Sequence, residues 1–411
     1  MISFGPLYRR AMVIFAVLIF FTNVSDFTVR YGVIPLAWIG LFFVLSAPAF
    51  MYGIAANRVP LRPVIWWGAT YLAISFAWFY GSAQDDFAFE EVQKRVLSVI
   101  VLVLALIVFG RTEEQALAQC CIAIAVLVAT ALNVYELFNP LTFSTIPGRS
   151  SGLYTNVNQS GAAIVLGLIL SYRIVPDRLK VAFIGITAIG LIPTFSRSAI
   201  IGWALVVAYY FLRAGVAAQI RRTIVLSTVC IVLVFSPVWS GIQYTLEERG
   251  VLTLNVLERV AFFTGGRVDE ASTSERQAVA ANAWRMYGEQ PIGGWGTGAS
   301  RRMEGFDVGT HNIYLAMLVD HGVLGFLIVP FLLLSVLWGL NRRTIDVAAP
   351  WLLFMVVWGL FSHNVLEERY ILIAVALVAS MVASNRTVPA TAAEPAFSVP
   401  TAPTALPARA G

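Results

Sequence analysis

Residues 310–340 read THNIYLAMLVDHGVLGFLIVPFLLLSVLWGL. A polar stretch of about seventy residues, Gly241 to Thr310, ends there, although helix–helix connections commonly need only ~2–8 residues. An apolar run, Ile313–Leu340, then begins, long enough to exceed the ~20 residues that cross a bilayer as a helix. Val33–Ala56, Ala116–Phe138 and Thr223–Ser240 are runs of the same kind. None alternates polar with apolar residues, which argues against a β-barrel.

Composition agrees with that reading. The 411 residues are 58% hydrophobic and only 12% charged, with a mean hydropathy of +0.77, and a soluble domain is excluded. Hydropathy predicts an all-α polytopic membrane protein of roughly twelve transmembrane helices with one large helical periplasmic loop. The spans fall near 11–25, 33–56, 64–80, 95–109, 116–138, 158–172, 180–194, 197–212, 223–240, 312–340, 348–364 and 368–384. Arg9 and Arg10 precede the first of them as in a signal peptide, but no small-residue cleavage site follows, so it reads as a retained helix. The organisation is then helices 1–9 over 1–240, a loop over 241–311, helices 10–12 over 312–384 and a disordered cytoplasmic tail, Pro-, Ala- and Thr-rich, over 385–411.

The net charge of +5 comes from loops. In a membrane protein it reports orientation and contact with anionic lipid, not nucleic acid. With the N-terminus inside, Arg9/Arg10, Arg58/Arg62, Arg173/Arg178/Lys180, Arg213/Arg221/Arg222 and Arg342/Arg343 fall on short cytoplasmic segments. Arg149, Arg197 and Arg276 then stand on the outer face, where arginine is under-represented and needs a local reason. Cys120, Cys121 and Cys230 lie within spans at no metal-binding spacing and read as packing residues. Neither a metal nor a cofactor is expected.

His311 closes the long loop and opens a helix. An imidazole there can take a proton from a hydroxyl at the membrane surface. His363, beside Glu367, Glu368 and Arg369, returns to the same outer end, and Asn312 and Tyr314 flank His311. Arg276 follows a capping-box pattern, Ser272-x-x-Glu275, in a predicted amphipathic helix. Arg197 stands where Ser196 or Ser198 caps a helix; free backbone N–H groups beside a guanidinium suit a phosphate. Arg149 lies in a turn-forming Pro147-Gly148-Arg149 loop, and Lys94 and Arg95 add charge at the head of an early span. Two further signals read as bland: Gly293–Gly298 as a turn without P-loop context, and Asp85-Asp86 with Glu90-Glu91 as an exposed acidic loop. One base with several arginines suits an anionic, lipid-linked substrate whose pyrophosphate leaves as a sugar bond breaks.

The chain resembles the O-antigen ligase and O-antigen polymerase superfamily of bacterial envelope glycosyltransferases. The likeness rests on Gly148-Arg149-x-x-Gly152-Leu153-Tyr154-x-Asn156-x-Asn158 and Phe195-Ser196-Arg197-Ser198-Ala199. It continues through Arg276, Trp284 and Pro291–Gly296 to His311-Asn312-x-Tyr314-Leu315-x-x-Leu318-x-Asp320-x-Gly322-x-x-Gly325. Two positions depart from the pattern: Asp320 stands where the family usually has Glu, and Gly-Gly-Trp-Gly replaces Gly-x-Gly. The resemblance implies an inner-membrane enzyme with a periplasmic site and a metal-independent, inverting transfer. It implies an undecaprenyl-pyrophosphate-linked glycan donor and a lipid A–core acceptor in lipopolysaccharide biosynthesis. It maps a catalytic base onto His311 and pyrophosphate-binding arginines onto Arg197, Arg276 and Arg149. A polymerase with a second lipid-linked glycan as acceptor is the nearest rival reading. A flippase would instead require paired, interrupted helices in two related halves.

Overall fold

The computed structural model describes residues 5–55, 62–215, 271–302 and 309–384, with positions 248, 253 and 256 besides. The expected span at 223–240 and the tail at 385–411 lie outside the described residues, as does most of 241–270. Among the described residues there is no strand, and the chain is all-helical. In order the helices are α1 (Pro6–Phe15), α2 (Val24–Phe27), α3 (Pro35–Ala55), α4 (Pro63–Tyr80), α5 (Asp86–Val108), α6 (Thr112–Phe138) and α7 (Val157–Ser171). There follow α8 (Lys180–Leu191), α9 (Arg197–Arg213), α10 (Ala271–Glu289), α11 (Ile313–His321), α12 (Val323–Leu337), α13 (Ile345–Gly359) and α14 (Arg369–Ser384).

Helix α6 alone is long and apolar enough to cross a membrane among the described residues. The bent pair Pro6–Phe21 and Val24–Tyr31 passes together, with a 57° bend at Asn23, whose φ is +63°. Five further apolar helices are shorter, α7 and α12 among them. Their outward faces are nonetheless apolar: Ile124 of α6 is 61% exposed and Leu334 of α12 66%. Such faces suit hydrocarbon better than water.

The run 312–340, expected as one span, is two helices. Gly322 breaks it with φ +61° and ψ −152°, an angle that side chains resist and that hydropathy does not register. A Cβ on Gly322 would stand 2.2 Å from the Ile292 carbonyl oxygen. A Cβ on Gly294 would likewise stand 2.5 Å from the Gly322 nitrogen. The chain at 291–296 therefore packs backbone to backbone on the α11–α12 break. Val323 N–H donates to Pro291 O (2.8 Å), Trp295 N–H to Val319 O (2.9 Å) and Gly296 N–H to Asp320 O (3.0 Å). At its other end α11 meets the end of α13, where a Cβ on Gly359 would press on the Tyr314 ring at 2.9 Å. Helix α11 thus joins the end of α13 to the start of α12.

The two ends of the bundle differ in charge. At one end Arg9 pairs with Glu114 (2.9 Å) and Arg213 with Asp346 (2.7 Å). There Arg62 also donates to Ser380 (2.6 Å) and Arg173 to the Arg343 carbonyl (3.2 Å). The opposite end carries Arg149, Arg197, His311 and His363. Replacing Gly322 by Ala should lower the thermal midpoint of the detergent-solubilised protein by several degrees, because backbone must shift. Gly40→Ala, at a position with nothing within 4 Å of the new Cβ, should leave the midpoint unchanged; equal melting of the two variants would contradict this packing.

Candidate functional site

Asn312 builds the start of α11. Its side-chain oxygen accepts from Tyr314 N–H (2.9 Å) and Leu315 N–H (3.1 Å), an N-cap that leaves His311 just outside the helix. His311 is half-buried, and its ring meets that of His363 edge to face, with centroids 5.6 Å apart. Burial, reinforced by the nearby charge of Arg276, lowers the His311 pKa from its ordinary value. Both causes disfavour the imidazolium, so the ring is neutral and able to accept a proton near pH 7.

Arg197 opens α9, and its placement follows from how α9 meets α13. The two run antiparallel. Arg213 and Tyr209 reach Asp346 and Ile345 at one end, and Gly202 packs on Phe354 midway. The Arg197 end therefore lies at the Gly359 end of α13, from which the chain leads to His363. The turn before Arg197 is unusual: Phe195 has φ +47°, costing about 1–2 kcal/mol for a residue with a Cβ.

Arg149 holds that turn. Expected at the phosphate, it is buried, with Nε donating to Thr194 O (2.9 Å) and Nη2 to Asn158 Oδ1 (3.2 Å) and Phe195 O (3.4 Å). Glu136, hidden at the end of α6, fixes the loop that carries Arg149. Its carboxylate accepts backbone N–H groups from Phe143 (2.7 Å), Ser151 (2.6 Å), Gly152 (3.1 Å) and Ser144. The sequence gives little sign of this role, because a glutamate at a helix end looks like any solvated charge.

Arg95 also departs from expectation. Instead of adding charge near the surface, it is fully buried and bonds Asp320 Oδ2 (2.7 Å), His321 Nε2 (2.6 Å) and Ser75 Oγ (3.1 Å). Asp320 in turn accepts from Gly298 N–H (3.1 Å) and Ser300 N–H (2.8 Å). Ser300 O takes Thr310 N–H (3.3 Å), the residue before His311. The glycine-rich 293–298 stretch is thus a braced turn. From the same turn Arg301 bridges Glu91 (3.1 Å) and Glu367 (2.6 Å). Its one sequence signal is its place just after the glycine turn, and Arg302 beside it dilutes that signal. Asp85 caps α5 through Ala88 N–H (2.8 Å) and pairs with Arg302.

A groove of ≈ 640 Å³ adjoins this end, lined by Tyr314 and Leu318 of α11, Phe326 and Pro330 of α12, Val356 of α13 and Trp284 of α10. Asn312, the residue after His311, borders it. Asp320→Ala should cost about 3–5 kcal/mol, because it leaves Arg95 as a buried unpaired charge. Thermal or denaturant melting should show this loss, with part of it recovered in Arg95→Met/Asp320→Leu. A neutral Asp320→Ala result would contradict the network.

Residues 181–330 match the family model described as O-Antigen ligase. The matched segment contains Arg197, Arg276 and His311, whereas Arg95, Arg149 and His363 lie outside it. No curated protein matches the chain.

Proposed function

We propose that this member of the O-antigen ligase family transfers glycan from undecaprenyl pyrophosphate to the lipid A–core oligosaccharide. Family members are glycosyltransferase-like enzymes of lipopolysaccharide synthesis, embedded in the bacterial inner membrane. The observation that supports the reading is His311 beside Asn312, which borders the apolar groove, with the Arg276 charge near enough to help lower the imidazole pKa. His311 takes the proton of an acceptor hydroxyl as its oxygen bonds to the anomeric carbon. The carbon–oxygen bond to the pyrophosphate breaks from the opposite face, inverting the centre. Arg276 and Arg197 neutralise the departing diphosphate, and Arg149 keeps the Arg197 turn in place. The groove takes the isoprenoid chain, whose apolar surface matches its lining. Because guanidinium groups supply the charge, transfer proceeds in EDTA.

In this reading about twelve spans cross the membrane, with 241–311 as a periplasmic loop and 385–411 as a cytoplasmic tail. The charge asymmetry of the bundle supports that orientation, since the basic end suits the cytoplasm. A polymerase shares the donor chemistry and differs only in acceptor.

His311→Ala should slow transfer by about 10²–10⁴-fold with donor affinity retained. Arg197→Ala and Arg276→Ala should weaken both donor affinity and transfer. Wild-type turnover by the His311 variant would remove the base assignment. Because His311 acts when neutral, kcat/KM should hold at neutral pH and fall on acidification with an apparent pKa below the usual ~6.5. In Arg276→Ala the imidazolium becomes easier to form, so the acid limb should move to higher pH. An unmoved or downward-shifted limb would separate Arg276 from the base.

A further inference from the structure

The turn that carries His363 also walls a second cavity, of ≈ 190 Å³, between α5 and the start of α14. That is room for about six waters at ~30 Å³ each, the scale of one pyranose ring. Its polar side is made by Asp26, Lys94, Asn364, Glu367, Glu368 and Arg369, and Leu97, Val101 and Leu372 give it an apolar wall. Three charge pairs are already made there, and Glu368 is the one carboxylate of the lining outside them. Asp26 pairs with Arg369 (2.5 Å), Glu367 with Arg301 (2.6 Å) and Lys94 with Glu91 (2.9 Å). A phosphate would have to break one of these pairs to bind.

Hydrogen-bonding capacity, in contrast, is left over. Asn364 Oδ1 is buried and has no hydrogen-bond partner among the described residues, while the buried Glu368 Oε2 has the Tyr370 hydroxyl as its neighbour. Glu368 Oε1 is held by Gln159 Nε2 at 3.1 Å, which fixes where the other oxygen sits. Asn364 Oδ1 awaits a donor, the Lys94 ammonium has more than one proton to give, and an apolar wall completes the cavity. Hydroxyls around a ring with a C–H face fit that combination. Asn364 follows His363, whose ring meets that of His311 edge to face, so one turn joins this cavity to the proposed base.

We propose that this cavity binds a neutral sugar ring of the acceptor and positions the neighbouring hydroxyl for His311. The proposal rests on the transferase reading above and names where that reading's second substrate is held. Asn364 and Glu368 are its positioning residues.

The test uses the full chain in lipid nanodiscs, with rough lipopolysaccharide as acceptor and purified lipid-linked glycan as donor. Asn364→Ala removes one acceptor atom, and Leu97→Trp fills the cavity from its apolar side. Both variants should raise the acceptor KM about tenfold, the size of one lost hydrogen bond, while the donor KM stays within about twofold. An unchanged acceptor KM in Leu97→Trp, or a donor KM that rises with it, overturns the proposal. Thermal melting guards against misfolded protein, and Glu368→Gln repeats the test at a third position. Saturation-transfer NMR with delipidated core oligosaccharide reads binding without turnover. Contact in the wild type that is lost in Leu97→Trp supports the sugar site even if no transfer is seen, whereas absent transfer bears on the enzymatic reading alone. Equal contact in both proteins sinks the cavity as a sugar site.

Discussion

The buried carboxylate of Asp320 is the joint on which the outer end of the bundle depends. It meets Arg95 from α5 on one side and the amides of Gly298 and Ser300 on the other. A buried ion pair adds little net stability, but it tolerates few arrangements. From this joint the order passes to Thr310 and so to His311, and through Arg301 to Glu367 and the His363 turn. The 293–298 turn sits at backbone contact with α11, and Gly294 and Gly322 have no room for a side chain.

The same end divides its charges into two kinds. Arg95, Arg149 and Arg301 are held inside by carboxylates and carbonyls, and their role is to fix turns. Arg276 is exposed, with its charge felt at His311, and Arg197 is half-buried at the start of α9. A guanidinium that must meet a pyrophosphate gains from remaining near solvent until the ligand arrives, whereas one that braces a fold gains from burial. This distinction gives Arg149 a positioning role and makes Arg197 and Arg276 the pair we propose to face the phosphate.

Much of this was legible in the sequence, and the gaps have physical causes. Apolar runs mark helices reliably because hydrophobic burial and lipid exposure both demand them. They do not mark breaks: the run through Gly322 reads as a single span because one backbone angle leaves no trace in hydropathy. His311 stood out through the loop that ends on it, whereas the cap made by Asn312 beside it came from the structure. Glu136 and Arg301 did not stand out, since their importance lies in backbone amides and carboxylates brought from distant segments. Arg95 shows the converse error. A charged residue at the head of a span looks exposed until the partner that buries it, Asp320, is placed beside it.

The central claim is that a bond is made at the outer face, with His311 as base and arginines around a leaving diphosphate. Its most direct measurement supplies labelled lipid-linked glycan to the purified protein in proteoliposomes with EDTA, together with rough lipopolysaccharide and a second lipid-linked repeat unit. The account expects glycan to appear on the lipopolysaccharide, with one undecaprenyl pyrophosphate released per transfer. Extension of the lipid-linked repeat instead would make the protein a polymerase. Movement of the donor across the bilayer with no new glycosidic bond would contradict the account.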